Sequence, residues 1–226
     1  MGFLFDNCHY DRLTDEIINK CQPYSCSKNS DIDSFFHKNT KDNFSDYCSE
    51  MMGNSHCFYT NEDYPRMVCA FSLSNSALRT DPLPKRKRNR FNKSIPNAKR
   101  RSQYPAILIG QLCVFDGFDY NSVKENVGDE MMNLIKTIAI NTENDSAIRY
   151  LVVDAVNNNN VINFYKRNGF VFLFESDAEE LECLRNHSTD KSIIQQIKNI
   201  CRLRNKKEKL YCKTRLMYFD LILLKQ

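Results

Sequence analysis

The chain has 226 residues, 42% hydrophobic and 27% charged, with a formal net charge of +4 at pH 7. That length and apolar content suit one domain over residues 1–226 with a full core. No stretch approaches the roughly twenty consecutive apolar residues of a membrane helix, and the start, Met1-Gly2-Phe3-Leu4-Phe5-Asp6, lacks a signal's basic lead and long apolar region; a cytoplasmic protein with no membrane partner is expected.

Residues 1–30 lack clear periodicity and are expected to hold an early strand and a loop. Ser30–Phe36 reads as a capped helix start, and apolar positions continue with breaks through Phe44, Tyr47 and Met51 to a turn at Gly53-Asn54. His56–Tyr59 and Met67–Leu73 are predicted strands joined by a polar turn over 61–65. A basic loop over 81–103 follows. Lys85, Arg86, Lys87, Arg88, Arg90, Lys93, Lys99, Arg100 and Arg101 concentrate the positive charge, with no acid between Asp81 and Asp116. The rest of the chain is therefore net acidic, so these bases are not an evenly spread solvating coat. Pro82, Pro84 and Pro96 prevent one regular element throughout. The run reads either as a solvated loop or rim, or as a surface for phosphates.

Ala106–Phe115 is too continuously apolar to face water and should be a central strand, with Gly110 marking a bulge or a close backbone approach. Asn121–Asn141 is the clearest helix, with Val127, Met131, Leu134, Ile135 and Ile138 in one apolar stripe. Tyr150–Val153 is a buried strand, Asn160–Arg167 a short helix ended by Asn168-Gly169, and Phe170–Phe174 another strand. A helical insertion is expected over about 177–210, and Arg215–Leu224 reads as a final strand. Strands alternating with helices imply an α/β architecture with a mixed sheet. The ten cysteines are scattered and never form Cys-x-x-Cys, so buried or surface thiols are expected and no metal site is assigned.

The order strand, Asp154-Ala155-Val156-Asn157, helix with Phe164-Tyr165, Gly169-Phe170, strand resembles the acyl-CoA half of the GNAT superfamily of N-acetyltransferases, and the similarity runs from about Met67 to Phe174. It looks especially like bacterial members in which the run Pro105–Leu112 follows a basic loop, and some relatives with that layout are tRNA-acetylating toxins. The resemblance implies a GNAT fold with a mostly antiparallel central sheet, and acetyl-CoA as cosubstrate. It further implies direct attack by a primary amine in a ternary complex, with no metal. The amine acceptor would be tRNA, protein or another amine; a homodimer and an antitoxin are the further partners suggested. A non-catalytic nucleic-acid-binding module on the same scaffold is the rival reading.

Family members hold the CoA pyrophosphate on a Q/R-x-x-G-x-G/A loop opening the long helix. Val123, Lys124, Asn126, Val127, Gly128 and Asp129 occupy that region here, and only the last glycine of the pattern is kept. Backbone amides at a helix start bind phosphate whatever their side chains are, although Glu125, Asp129 and Glu130 must then point elsewhere. The plain reading of Ser122-x-x-Glu125 is a capping box. By the same resemblance, the backbone of Gln111, Leu112, Cys113 and Val114 would lie along the acetyl-pantetheine arm. Asn157 would bond the pantetheine, or serve only as a turn residue. Tyr165 would protonate the departing thiolate, against the alternative of an aromatic packing beside Phe164. No general base is assigned; Asp116 and Glu62 are candidates by location and His56 a further one, against the plain reading of each as a solvated or structural residue.

Overall fold

The computed structural model describes residues 2–37, 40–93, 101–118, 126–141, 147–187 and 212–225. Its described elements are α1 (Phe3–Asn7), β1 (Cys8–Arg12), α2 (Asp15–Lys20), α3 (Ser30–Phe35), α4 (Phe44–Ser49), β2 (Asn54–Thr60), β3 (Met67–Arg79) and α5 (Lys85–Asn92). These are followed by β4 (Gln103–Val114), α6 (Val127–Ile140), β5 (Tyr150–Val156), α7 (Asn159–Arg167), β6 (Val171–Phe172), α8 (Asp177–His187) and β7 (Thr214–Asp220), ending in a 3₁₀ turn over Leu221–Leu224. The strands form one sheet in the order β1-β2-β3-β4-β5-β7-β6, with β4 at its centre. Every pairing is antiparallel except β4 with β5.

One face of the sheet carries α1, α6, α7 and the 3₁₀ turn. Its core joins Phe71, Ile109, Leu151, Val153 and Met217 to Met131, Met132, Ile135 and Ile162. The stripe predicted for α6 is there, with Met132 and Ala139 fully inside and Leu134 and Ile138 only partly so. The other face has two smaller clusters. Leu13, Ile17, Phe36 and Phe44 of α2–α4 and the loops flanking them cover Cys57, Ala70, Cys113 and Phe115. Phe91 of α5 and Cys183 of α8 lie against Tyr104, Tyr150, Val152 and Tyr218.

Several sequence expectations change in detail. The N-terminal thirty residues hold two short helices around β1, each of only a turn or so. Phe170–Phe174 contributes only Val171–Phe172 to the sheet, as its outermost strand, and the chain then turns into α8. The final strand stops at Asp220, whose carboxylate accepts from the Ile222 N–H and caps the 3₁₀ turn. The basic segment contains a regular element after all: α5 starts directly behind Pro84, where a missing N–H costs nothing. Residues 188–211, expected to be largely helical, lie outside the described residues.

A cleft where two central strands part

Strands β4 and β5 run side by side only from Ala106↔Tyr150 to Ile109↔Val153. Beyond that point β4 stays with β3 while β5 stays with β7 through Val156↔Thr214, so the two strands diverge. The cause is local to β4. Phe71 pairs with Leu112 but Leu73 pairs with Ile109, leaving one extra β4 residue opposite Ser72. This is a bulge, and it sits at Gly110-Gln111. A Cβ on Gly110 would lie 2.7 Å from Ser72 Oγ, and that same hydroxyl accepts from the Gln111 N–H at 2.8 Å. Both halves of the expectation for Gly110, a bulge and a close approach, are met.

The extra residue also exchanges the faces of β4. Before it, Ile107 and Ile109 join the α6–α7 face; after it, Leu112 and Val114 do, while Cys113 and Phe115 turn to the opposite face. Backbone groups follow the same alternation. The N–H groups of Gln111 and Phe115 point toward β3, to Ser72 Oγ and the Val68 carbonyl. Those of Leu112 and Val114 therefore face the opening toward β5.

The opening is a cavity of about 970 Å³, at the upper end of the usual size for small-molecule sites. On the α6–α7 face its wall includes Val127, Gly128, Val161, Phe164 and Tyr165; on the other face it includes Cys26, Lys28, Asp31 and Asp154. At one end stands the start of α6. The amides of Asp129 and Glu130 bond to the Asn126 carbonyl, whereas those of Val127 and Gly128 have no partner among the described residues. Gly128 is needed for space: a Cβ there would lie 3.1 Å from the Phe164 ring.

Of the acids beside this helix start, the two described ones are turned away, and Glu125 lies outside the described residues. Glu130 accepts from the N–H groups of Phe3 and Leu4 at 3.0 and 2.8 Å. Asp129 accepts from Arg167 Nε at 3.0 Å and Asn168 Nδ2 at 2.7 Å. Neither Asp129 nor Glu130 therefore opposes the positive end of the helix dipole toward the cavity.

Helix α7 delivers the phenol. Asn158 caps its first turn by accepting from the Val161 N–H. Gly169 ends it at φ +83°, where a Cβ would also strike the Phe219 ring at 2.9 Å. Between these stops, the Tyr165 ring is held edge-on by Phe164 and Phe170 at 5.1 and 5.4 Å. The residue is 6% exposed, lines the cavity, and its hydroxyl has no partner among the described residues. Burial pushes its pKa up, so the phenol keeps its proton throughout the neutral range.

A scan against protein-family models finds no match, and a search of curated proteins finds none either. Among solved structures the chain is similar to a tyrosine-to-phenylalanine mutant of KacT, with a TM-score of 0.60, 14% identity, and 98% and 99% of the two chains covered. It is also similar to AtaTR bound with acetyl-CoA, with a TM-score of 0.56, 15% identity and 98% and 99% covered. A tyrosine-to-phenylalanine mutant of the AtaT toxin gives 0.55, 14%, and 98% and 95%. The chain has the GNAT fold.

The structure gathers Gln111, Leu112, Cys113, Val114, Asn126, Val127, Gly128 and Tyr165 around this one cavity. Val123 and Lys124 lie outside the described residues. Asp129 does not line the cavity, being tied to Arg167 and Asn168. Asn157 does not line it either. Its Nδ2 donates to Asp177 Oδ2 at 3.0 Å and to the Cys212 carbonyl at 2.8 Å, inside a buried clamp between α8 and β7. Arg215 is the centre of that clamp, reaching Glu180 and Asp177 at 2.6 Å each. The helical segment absorbs the asparagine, which its place in an Asn run gave no means to foresee.

The three residues considered as bases lie elsewhere. Asp116 accepts from Ser25 Oγ at 2.7 Å and from the Ser27 N–H and hydroxyl at 3.0 Å. These bonds, Ser25 first, hold its carboxyl below the usual range and fasten the loop carrying Cys26 and Lys28 against the end of β4. Glu62 pairs with Arg66 at the surface, and His56 meets Tyr10 Oη at 2.8 Å. Cys113 makes a poor nucleophile: its contact with Cys26, followed by burial, drives its thiol well above the ordinary value. The lining residues not anticipated include Lys28, Asp31, Phe118, Asp154, Val161 and Arg167, which only the three-dimensional parting of β4 and β5 brings together.

Proposed function

We propose that the protein is an acetyl-CoA-dependent N-acetyltransferase. The observation that carries this reading is the pairing, in one cavity between splayed strands, of helix-start amides with a buried phenol, neither having a partner among the described residues. The amides of Val127 and Gly128 suit a diphosphate, which accepts hydrogen bonds and is drawn by the helix dipole. The outward N–H groups of Leu112 and Val114 suit a chain of amides, and one of them can polarise the acetyl carbonyl as negative charge develops on its oxygen. Tyr165 then protonates the sulfur as the C–S bond breaks. A raised phenol pKa favours this role, because the group stays protonated until a stronger base is generated beside it. Two of the similar structures carry a tyrosine-to-phenylalanine change, and a third is bound to acetyl-CoA, which accords with this division of labour.

The same fold supports a more specific reading: a toxin-like enzyme acting on an amine carried by RNA. Here the favouring observation is α5. Lys87 turns inward to Glu175 and Glu179 at 3.1 and 3.2 Å, and Phe91 packs on three tyrosines, so Lys85, Arg86, Arg90 and Lys93 are left facing solvent. Phe91 lies over Tyr150, and Asp154 at the cleft is four residues further along the same face of β5. The basic helix therefore stands about 13 Å from the cleft mouth. A polyanion bound by α5 could present its terminus there.

Transfer of label from acetyl-CoA into a cell extract tests both readings. The wild-type protein is expected to label an amine, and labelling of RNA selects the second reading. Binding of polyanions without any transfer would establish a non-catalytic module instead.

A further inference from the structure

The transferase reading leaves the acceptor side of the cleft without a named group. We infer that Asp154 receives the acceptor amine and takes its proton during attack. This inference rests on the transferase reading and adds to it the residue that meets the nucleophile.

Placement comes first. Asp154 follows Val153, the last β5 residue paired with β4, so it stands at the point where the strands part. Val153 belongs to the core under α6 and α7, and successive strand residues alternate. The Asp154 carboxylate therefore lies on the opposite face from Tyr165 while lining the same cavity. A thioester threaded between the two strands would have the phenol on its sulfur side and this carboxylate on the side open to an incoming nucleophile. Displacement of a thiolate by an amine needs that arrangement of acid and base.

Charge is the second point. Arg215, opposite Ala155 in the neighbouring strand β7, is already divided between Glu180 and Asp177. Asp154 forms no ion pair among the described residues; its one polar contact is with Thr214, in the strand beside it. A carboxylate at the wall of a cavity, with the local arginine committed elsewhere, is a receptor for a cation from solution. The titratable and charged groups around it are Glu180 of α8, Cys212 just before β7, and Lys28 and Asp31 on the same face of the cavity. Burial raises the Asp154 pKa, which Thr214 partly offsets. A more basic carboxylate is a better proton acceptor.

The step balances. The bound ammonium first releases one proton to solvent through cavity water, and the neutral amine nitrogen then bonds to the acetyl carbon and loses a second proton to Asp154. The C–S bond breaks with its electron pair on sulfur, which takes the proton of Tyr165. The proton on Asp154 returns through cavity water to the phenolate, leaving the amide, the thiol and both side chains as they began.

The test measures initial rates of label transfer from acetyl-CoA into a cell extract across pH 5 to 9, for wild type, Asp154→Asn and Asp154→Glu. Asp154→Asn should lower the rate at pH 7 by about 10²-fold, remove the acid limb of the profile and leave the acetyl-CoA-induced thermal shift at its wild-type size. Asp154→Glu should restore part of the rate together with the limb. Wild-type rates and an unchanged limb in Asp154→Asn would overturn the inference and leave the transferase reading standing. No transfer by the wild type would remove that reading, and the inference with it. If Asp154→Asn fails to fold, Thr214→Val decides. Loss of the hydroxyl should move the acid limb to higher pH, and an unmoved limb would exclude Asp154.

Discussion

Tyr165 occupies an environment in which a phenol does one thing well. Its ring is fixed by Phe164 and Phe170, and its hydroxyl opens on the cavity without a partner among the described residues. Phenylalanine fits the same pocket, so Tyr165→Phe should keep the fold and acetyl-CoA affinity while turnover falls by about 10²-fold or more. Steady-state rates alongside a binding titration check this; equal turnover would remove the residue from the chemistry. The residue was legible in the sequence because it sits eight positions after Asn157 in a strand–helix pattern with a definite spacing. Asn157 itself was not. Whether an asparagine in a run of four faces a ligand or a carbonyl depends on what packs beside it, and here the Cys212 carbonyl and Asp177 claim it.

At the level of elements, the bulge in β4 organises the cleft. Gly110 announces it in the sequence, but the divergence of β4 from β5 is a matter of register and has no residue signature. Asp154 has no such signature either: within Val152-Val153-Asp154-Ala155 it reads as a strand residue, and only the departure of a neighbouring strand exposes it. Gly128 gives an element-scale prediction. Gly128→Val must displace Phe164 from the start of α6, so acetyl-CoA affinity should drop about tenfold or more while α6, buried along Met131 and Ile135, stays folded. Calorimetric titration with circular dichroism separates the two effects. For α5, Arg86→Glu with Arg90→Glu should weaken binding of single-stranded RNA and lower the slope of log affinity against log salt by about one for each phosphate no longer neutralised. Filter binding at several salt concentrations measures the slope. An unchanged slope would return α5 to the status of a solvated helix. Stability should hardly move, because Lys87 and Phe91 do the docking.

For the whole molecule, the sequence supplied the order of the α/β elements, the central position of β4 and the stripe of α6, since each rests on periodicity over ten or more residues. It supplied far less of the N-terminal segment. Helices α2–α4 have six residues each, too short for a periodic pattern to rise above noise, yet the loop before α3 builds the wall of the cleft on the face opposite α6 and α7. Among the described residues no helix is long and apolar enough to cross a membrane. The central claim is that the gap between β4 and β5 is built to hold acetyl-CoA, and thermal unfolding with and without that ligand tests it most directly. At a hundred times its dissociation constant a ligand that binds only the folded state adds about 2.7 kcal/mol, which for a chain of this size should raise the melting temperature by about 5–10 °C. A melting temperature that saturating acetyl-CoA leaves unmoved would contradict the account.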